Sequence, residues 1–465
     1  MATLATPDLA PRAPERPHPR HWSERLPGEA LDHIPGEAGP PIVGNTFRML
    51  ADPHGFTRRM IATYGPVYKN RAFGGWTVAL VGPEANELML FDRDKIFSSE
   101  QGWGPILDKL FPRGLMLIDF DHHRMDRRAL SIAFKPGPMR HYSGSLNSGI
   151  ARVVKDWGGK PMRFYPAIKQ LTLDLAADSF IGIPWGPEAD RINQAFVDMV
   201  QASVAPIRAP LPFTQMRKGV KGREFLVDYF TRETHRRRSE GGGQDMFSQF
   251  ATATREDGSL LPVDEVVDHM NFLMMAAHDT ITSSATSLIW LLAKHPEWQE
   301  RVRAEILAVT GGASDISYDD LSKLELAEMA FKEALRLISP VPSTPRRALR
   351  DFEYAGYRIP AGTQVGINVQ YVHKMEEYWP EPEKFDPLRF TPEAVKGRHK
   401  YAWVPFGGGA HMCLGLHFAY MQVKILLAQL LTRYSIEVEP GYEPEWQPWP
   451  IPKPKDGLRV EFRPL

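Results

Sequence analysis

From about residue 83 to 338, apolar residues recur every three to four positions, the spacing of helices that bury one face. Prolines and glycines cut that stretch into many separate helices; the chain holds 41 prolines in 465 residues, denser punctuation than an average protein carries. Ahead of it, Gly39-Pro-Pro-Ile-Val-Gly-Asn45 reads as a rigid lead and residues 56–64 as a helix. Residues 67–81 read as two short alternating strands folded about Gly74-Gly75. Strand patterns return at residues 352–354, 357–359 and 363–368, then at 435–438 and 458–462. A long loop is predicted over 378–405. The pattern predicts a mainly α protein with small β-sheets (α+β), the sheet formed largely from the two ends of the sequence.

Two helical stretches differ from the rest. Residues 262–294 give the longest, roughly 30 residues and so about 45–50 Å. Asp264 and Glu265 begin it and Lys294 and His295 end it, a charge order that suits the helix dipole. It is apolar on several sides, so it is predicted to cross the interior. The second, residues 416–431, follows the glycine-rich run 407–409 and the only cysteine, Cys413.

Composition narrows the function classes. Fifty-six basic and 56 acidic residues give a formal charge of zero, which provides no electrostatic footprint for nucleic acid. No Gly/Ser-rich linker and no repeat divides the chain. One large domain over 39–465 is expected, after a flexible proline-rich lead-in over 1–38. The absence of about 18 uninterrupted apolar residues predicts no membrane span, and a cytoplasmic protein is expected. A single cysteine agrees with a reducing compartment.

Cys413 cannot form an intramolecular disulfide. By its residue type it is either a small buried hydrophobe or a reactive thiol. Gly407, Gly408 and Gly409 allow close backbone approach, and the helix after the cysteine favours a thiolate at its head. Thiolate is a soft metal ligand and one of the axial ligands of haem iron. The spacing Phe406-x-x-Gly409-x-x-x-Cys413-x-Gly415 resembles the haem-binding loop of the cytochrome P450 monooxygenases.

That resemblance extends over about residues 39 to 463 and implies the cytochrome P450 fold. It also implies haem b (iron protoporphyrin IX) as cofactor, with Cys413 as the metal ligand, Phe406, Gly407 and Gly415 shaping its loop, and Ala276 beside the cofactor. The middle of the long helix, Ala276-Ala-His-Asp-Thr-Ile-Thr282, resembles the family's Ala/Gly-Gly-x-Asp/Glu-Thr oxygen-binding motif. Ala277 stands where that motif usually has glycine. The resemblance makes Thr280 and Asp279 the catalytic pair that delivers protons; the residues alone also allow a threonine bonded back to its own helix.

For the haem propionates the resemblance points to His123, Arg127, Arg346 and His411, with Arg347 as the rival of Arg346. It further implies a structural triad of Glu333, Arg336 and Arg389 behind the cysteine loop. No residues remain for a fused electron-transfer domain, so a separate ferredoxin and an NAD(P)H-dependent ferredoxin reductase are expected. Arg124, Arg128, Lys135 and Arg140 are candidate docking contacts, and a monomer is expected.

The substrate pocket is expected between the long helix and residues 102–117. Trp103, Ile106, Leu107, Leu110, Phe111, Met116, Met275 and Val341 are candidate lining residues. An apolar lining suits a lipophilic small molecule, which would meet O2 at the site. Residues 209–218 resemble the region above the pocket in relatives that hydroxylate retinoids and steroids. A terpenoid, retinoid or steroid-like substrate is therefore the first expectation, with fatty acids and other hydrocarbons second. A peroxide-driven peroxygenase and a non-catalytic haem sensor or carrier are the alternatives.

Overall fold

The computed structural model describes residue 24 and residues 26–465. A large helical body surrounds the helix Val263–Lys294, whose 32 residues run through the main hydrophobic core. Val266, Met270, Met274, Leu288 and Leu292 bury its apolar positions. Its many hydroxyl residues are tolerated there because they bond back to the preceding turn. Thr282 donates to the His278 carbonyl at 2.7 Å and Ser284 to that of Thr280 at 2.7 Å. Around this helix pack Phe164–Ala176, Gln215–Glu240 and Glu325–Leu337. The helix Leu416–Leu431, buried almost throughout, packs on Pro136–Val154 and Pro296–Thr310.

The strands form several sheets. The largest has six strands in the order Gly36–Glu37, Val67–Ala72, Gly75–Leu80, Gln364–Ile367, Thr344–Ala348 and Phe97–Ser98. Its register sets Val78 opposite Val365 and Leu80 opposite Ile367, and these four anchor a second core. A three-stranded antiparallel sheet joins Tyr434–Glu437, Arg459–Pro464 and Pro161–Arg163.

The expected hairpin over 67–81 is present, closed at Ala72 and Gly75. The expected sheet drawn from the two ends of the sequence is present in part: the six-stranded sheet joins strands within 36–98 to strands within 344–367, whereas the last strands pair with Pro161–Arg163, whose short apolar content gives no strand signal. Thr344–Ala348 is a second unforeseen strand, since Pro345 and two arginines mask its alternation. Within 378–405 lie the short turns of helix Pro387–Phe390 and Pro392–Lys396, each opened by proline.

The boundary expected at residue 38 also falls inside packed structure. Gly28–Leu31 forms a turn of helix, Leu31 and Ile34 are buried, and Gly36–Glu37 pairs in parallel with Val67–Ala72. Lys69 secures this segment by donating to the Leu31 carbonyl at 2.9 Å and to Asp32 at 3.0 Å. The rest of the expected lead-in, residues 1–23 and 25, lies outside the described residues. Among the described residues no helix is long and apolar enough to cross a membrane.

Candidate active site

The cysteine loop is seated by two of its glycines. A Cβ on Gly409, whose φ is +60°, would stand 2.2 Å from the Leu90 carbonyl oxygen. One on Gly408 would meet the Phe91 ring at 2.9 Å. The loop thus lies directly on the helix Pro83–Phe91, which no side chain would permit. The Cys413 amide donates to the Phe406 carbonyl at 2.9 Å, closing the turn, and Phe406 packs on Tyr420 at 5.5 Å between ring centroids. Cys413 presents an accessible surface although protein surrounds it. Burial pushes its thiol up; the Gly415 amide and the Arg127 charge pull the other way and favour thiolate.

Four basic side chains from three separate elements meet beside this loop. His123 and Arg127 share one face of the helix Phe120–Leu130. The His123 and His411 rings stack with centroids 3.9 Å apart. Arg346 comes from the strand Thr344–Ala348 and acts electrostatically on both histidines. Strand alternation turns Arg346 and Arg347 to opposite faces, which separates the two candidates. Arg347 donates to the Glu24 carbonyl, away from the histidines.

The cluster is short of anions. Burial lowers the Arg346 guanidinium to about 10 and His123 to about 4, and His411 falls to about 2. The cations in the cluster lower both histidines further. Asp119 is close, 4.0 Å from His411 Nε2, but its oxygens already accept the Ser98 hydroxyl and the Ser99 and Glu100 amides. Among the described residues Arg127 has no ion pair, and Arg346 donates only to the neighbouring Pro345 carbonyl at 2.9 Å.

In the long helix, Asp279 and Thr280 point to different surroundings. Thr280 lies on a partly accessible stripe with Leu273, Ala276 and Ala277, midway along a helix otherwise largely buried. Its hydroxyl donates to the Ala276 carbonyl at 2.8 Å, so the back-bonded threonine foreseen as an alternative is what the structure contains. Its oxygen remains free to accept. Asp279 turns away, accepting from Lys169 Nζ at 3.1 Å with His278 Nε2 3.3 Å off. Burial raises the Asp279 carboxyl, but His278 and Lys169 outweigh it and keep the net shift downward. Lys169 escaped sequence reasoning because it lies 110 positions away in an ordinary amphipathic helix.

The charge network behind the loop is closed. The wholly buried Glu333 carboxylate accepts from Arg336 at 2.7 and 2.8 Å and from the Asp386 amide at 3.0 Å, with Arg389 Nε at 3.4 Å. Arg336 spends its remaining donors on the His373, Pro382 and Lys384 carbonyls. His373 Nε2 accepts the Val404 amide at 3.0 Å, tying this network to the approach of the cysteine loop. Arg398 is a further member that local spacing did not reveal; it lies 3.8 Å over the Trp379 ring and donates to the Arg389 carbonyl.

The segment 102–117 does pack on the long helix. A Cβ on Gly114 would stand 2.1 Å from Phe272, and Arg113 bonds Asp264 and Asp268 at 2.7 and 2.9 Å. Leu107, Leu110 and Phe111 are buried in the core, whereas Trp103, Ile106, Met116 and Met275 are partly accessible beside it, as is Val341. Three of the four expected docking cations are occupied by carboxylates of this chain. Arg140 pairs with Asp319, Arg128 with Glu256 and Arg124 with Asp121, which leaves Lys135.

Known proteins are similar to this chain in sequence and in fold. The chain is 38% identical over 450 residues to the putative cytochrome P450 136 of Mycobacterium tuberculosis, covering 95% of this chain and 91% of that one. It is 28% identical to the taxane 13-alpha-hydroxylase of Taxus cuspidata, with 95% and 93% covered. Its fold matches the retinoic-acid-bound cyanobacterial CYP120A1 with a TM-score of 0.85 at 28% identity, over 93% of this chain and 99% of the other. The cytochrome P450 family model matches residues 34–461, which spans the cysteine loop, the basic cluster and the long helix alike; this chain belongs to the cytochrome P450 family of monooxygenases.

Proposed function

We propose that this monooxygenase inserts one atom of O2 into a lipophilic terpenoid, retinoid or steroid-like molecule. Its electrons come from a separate ferredoxin and an NAD(P)H-dependent ferredoxin reductase. The observation that carries the cofactor assignment is the anion-poor cluster of His123, Arg127, Arg346 and His411 beside an accessible cysteine. Haem b fits this donor set: two propionates supply the missing anions, and Cys413 supplies a thiolate. Ala276 lies on the accessible stripe of the long helix, with no bulky side chain to obstruct a flat ring. When bound, haem supplies the iron at which dioxygen is reduced and cleaved.

The chain's own groups manage the protons. Asp279 is held below the usual carboxylate range by His278 and Lys169 and stands next to Thr280 on the helix. For a proton to pass, the Lys169 pair must open and the Thr280 hydroxyl must rotate off the Ala276 carbonyl. Ala277 adds a methyl group beside this path. The partly accessible Trp103, Ile106, Met116 and Met275 give an apolar boundary that favours lipophilic substrates. The taxane hydroxylase and the retinoic-acid-bound relative support a terpenoid or retinoid skeleton.

The ferrous–CO complex should show the red-shifted Soret band of thiolate ligation, and Cys413→Ala should abolish it. A normal band in that variant removes the assignment. Asp279→Asn should slow turnover by about 100-fold, and Thr280→Ala should divert electrons to hydrogen peroxide. Wild-type coupling in both would dismiss the proton path. A low-to-high-spin shift on titration with terpenoids or retinoids, and none with fatty acids of equal length, would support the substrate class.

A further inference from the structure

Two helices that carry parts of the candidate active site each present a further pair of metal-ligating side chains, four residues apart, that the proposed function does not use. On Phe120–Leu130 the pair is His122 and Asp126; on Val263–Lys294 it is Glu265 and His269. Residues at that spacing lie on one helical face, and the fold turns the two faces toward each other. His122 Nε2 is 3.3 Å from Asp126 Oδ2 and 3.8 Å from Glu265 Oε1. His269 Nε2 reaches the same Asp126 oxygen at 3.0 Å. Ligand atoms of His122, Asp126 and Glu265 all fall within 4.8 Å of one another. Tetrahedral zinc with bonds of about 2.0–2.1 Å separates its ligand atoms by about 3.4 Å. The His122–Asp126 and His122–Glu265 separations, 3.3 and 3.8 Å, lie within a few tenths of an ångström of that value.

We propose that His122, Asp126 and Glu265 form an interhelical site for a divalent first-row cation, zinc by preference, with His269 holding Asp126 from behind. An imidazole with two carboxylates, completed by water, suits zinc over the harder calcium and magnesium ions. Three further observations agree. The Asp126 side chain is 1% exposed, and its second oxygen, Oδ1, accepts no hydrogen bond. Arg255 takes the other side of the carboxylates: its Nη2 lies 2.5 Å from Glu265 Oε2 and 3.6 Å from Asp126 Oδ1. Asp126 Oδ2 faces His122 while His269 Nε2 holds it at 3.0 Å, as an outer-sphere partner orients a carboxylate ligand, and Glu265 Oε1 faces His122. With two carboxylates against one guanidinium, the site keeps a formal negative charge in excess. His122 is 44% exposed and gives an ion access from solvent.

An ion there clamps the helix that carries His123 and Arg127 to the N-terminal half of the helix that carries Asp279 and Thr280. The inference is independent of the substrate class. Holoprotein stripped with a chelator and dialysed against micromolar zinc should retain one zinc per chain more than His122→Ala. The apparent Kd should weaken by roughly 100-fold or more, beyond the 10–100-fold that loss of an outer-sphere partner costs. Histidines elsewhere bind zinc equally in both proteins, so the difference isolates this site. Zinc should also raise the thermal midpoint, followed at the Soret band, in the parent protein and not in His122→Ala or Glu265→Gln. Equal zinc content in parent and His122→Ala, or equal thermal shifts, would overturn the proposal.

Discussion

The two buried charge clusters that flank the cysteine loop are opposites. Behind it, Glu333 is saturated by Arg336, Arg389 and the Asp386 amide, and Arg336 has a carbonyl for each remaining donor. In front, Arg127, Arg346, His123 and His411 converge beside only Asp119 and Asp92, whose oxygens already accept from Ser98, Ser99, Ile96 and Phe97. The rear cluster pairs its carboxylate with its guanidinium groups, and its work is structural: it fixes the segment through which His373 meets Val404. The open cluster leaves buried cations that the propionates of the proposed haem would partner. Burial of charge therefore says little about function until the partners are counted.

The contrast predicts effects of different size. Glu333→Gln should be the most damaging change, because it leaves two arginines buried against a neutral amide. It should lower stability by about 3–5 kcal/mol in urea denaturation and sharply reduce the yield of holoprotein. A loss below about 1 kcal/mol would mean that the network is not closed in the sense argued above.

Arg346→Leu should behave otherwise. Removing a buried cation whose nearby carboxylates, Asp119 and Asp92, already accept hydrogen bonds elsewhere should leave the haem-free chain about as stable as before. Haem retention should weaken by about 1.5–3 kcal/mol, the contribution of a charged hydrogen bond, seen as faster haem transfer to an acceptor globin. Equal loss of stability with and without haem would erase the difference between the clusters.

The smallest effect is a pH dependence. His123 is held near 4 in the folded chain against about 6.5 when unfolded. Between those values the unfolded state binds a proton that the folded state does not. Stability is therefore full above about pH 6.5 and falls as pH drops toward 4, by about 1.4 kcal/mol per pH unit for this histidine. His411, near 2, continues the same trend to lower pH. Urea midpoints of the haem-free chain at pH 6 and 5 should show this loss, and His123→Phe should remove its share. Holoprotein should be less acid-sensitive, because propionates give the histidinium forms a partner.

Much of the site was legible because it is local. The Cys413 loop, the Glu333–Arg336 spacing, the His123–Arg127 spacing and the Asp279–Thr280 pair each occupy a few consecutive residues, where helical or turn geometry alone decides which groups share a face. Reading failed where the partner was distant. Lys169 holds Asp279 from another helix, Arg398 joins the rear network across a loop, and Glu256 and Asp319 occupy the cations expected to be free. The strand Pro161–Arg163 exists only because Arg459–Pro464 is there to pair with it.

By itself the sequence determined the thiol and its glycine approach, the long buried helix with its acid and hydroxyl, the mainly helical composition and the family. Only the tertiary structure decided that Arg346 and not Arg347 faces the histidines, that Thr280 bonds to Ala276 while Asp279 turns to Lys169, and that His122 and Asp126 meet Glu265 and His269. The physical reason is the same each time. Backbone periodicity fixes which side chains leave an element together, but long-range packing and strand register fix what they meet.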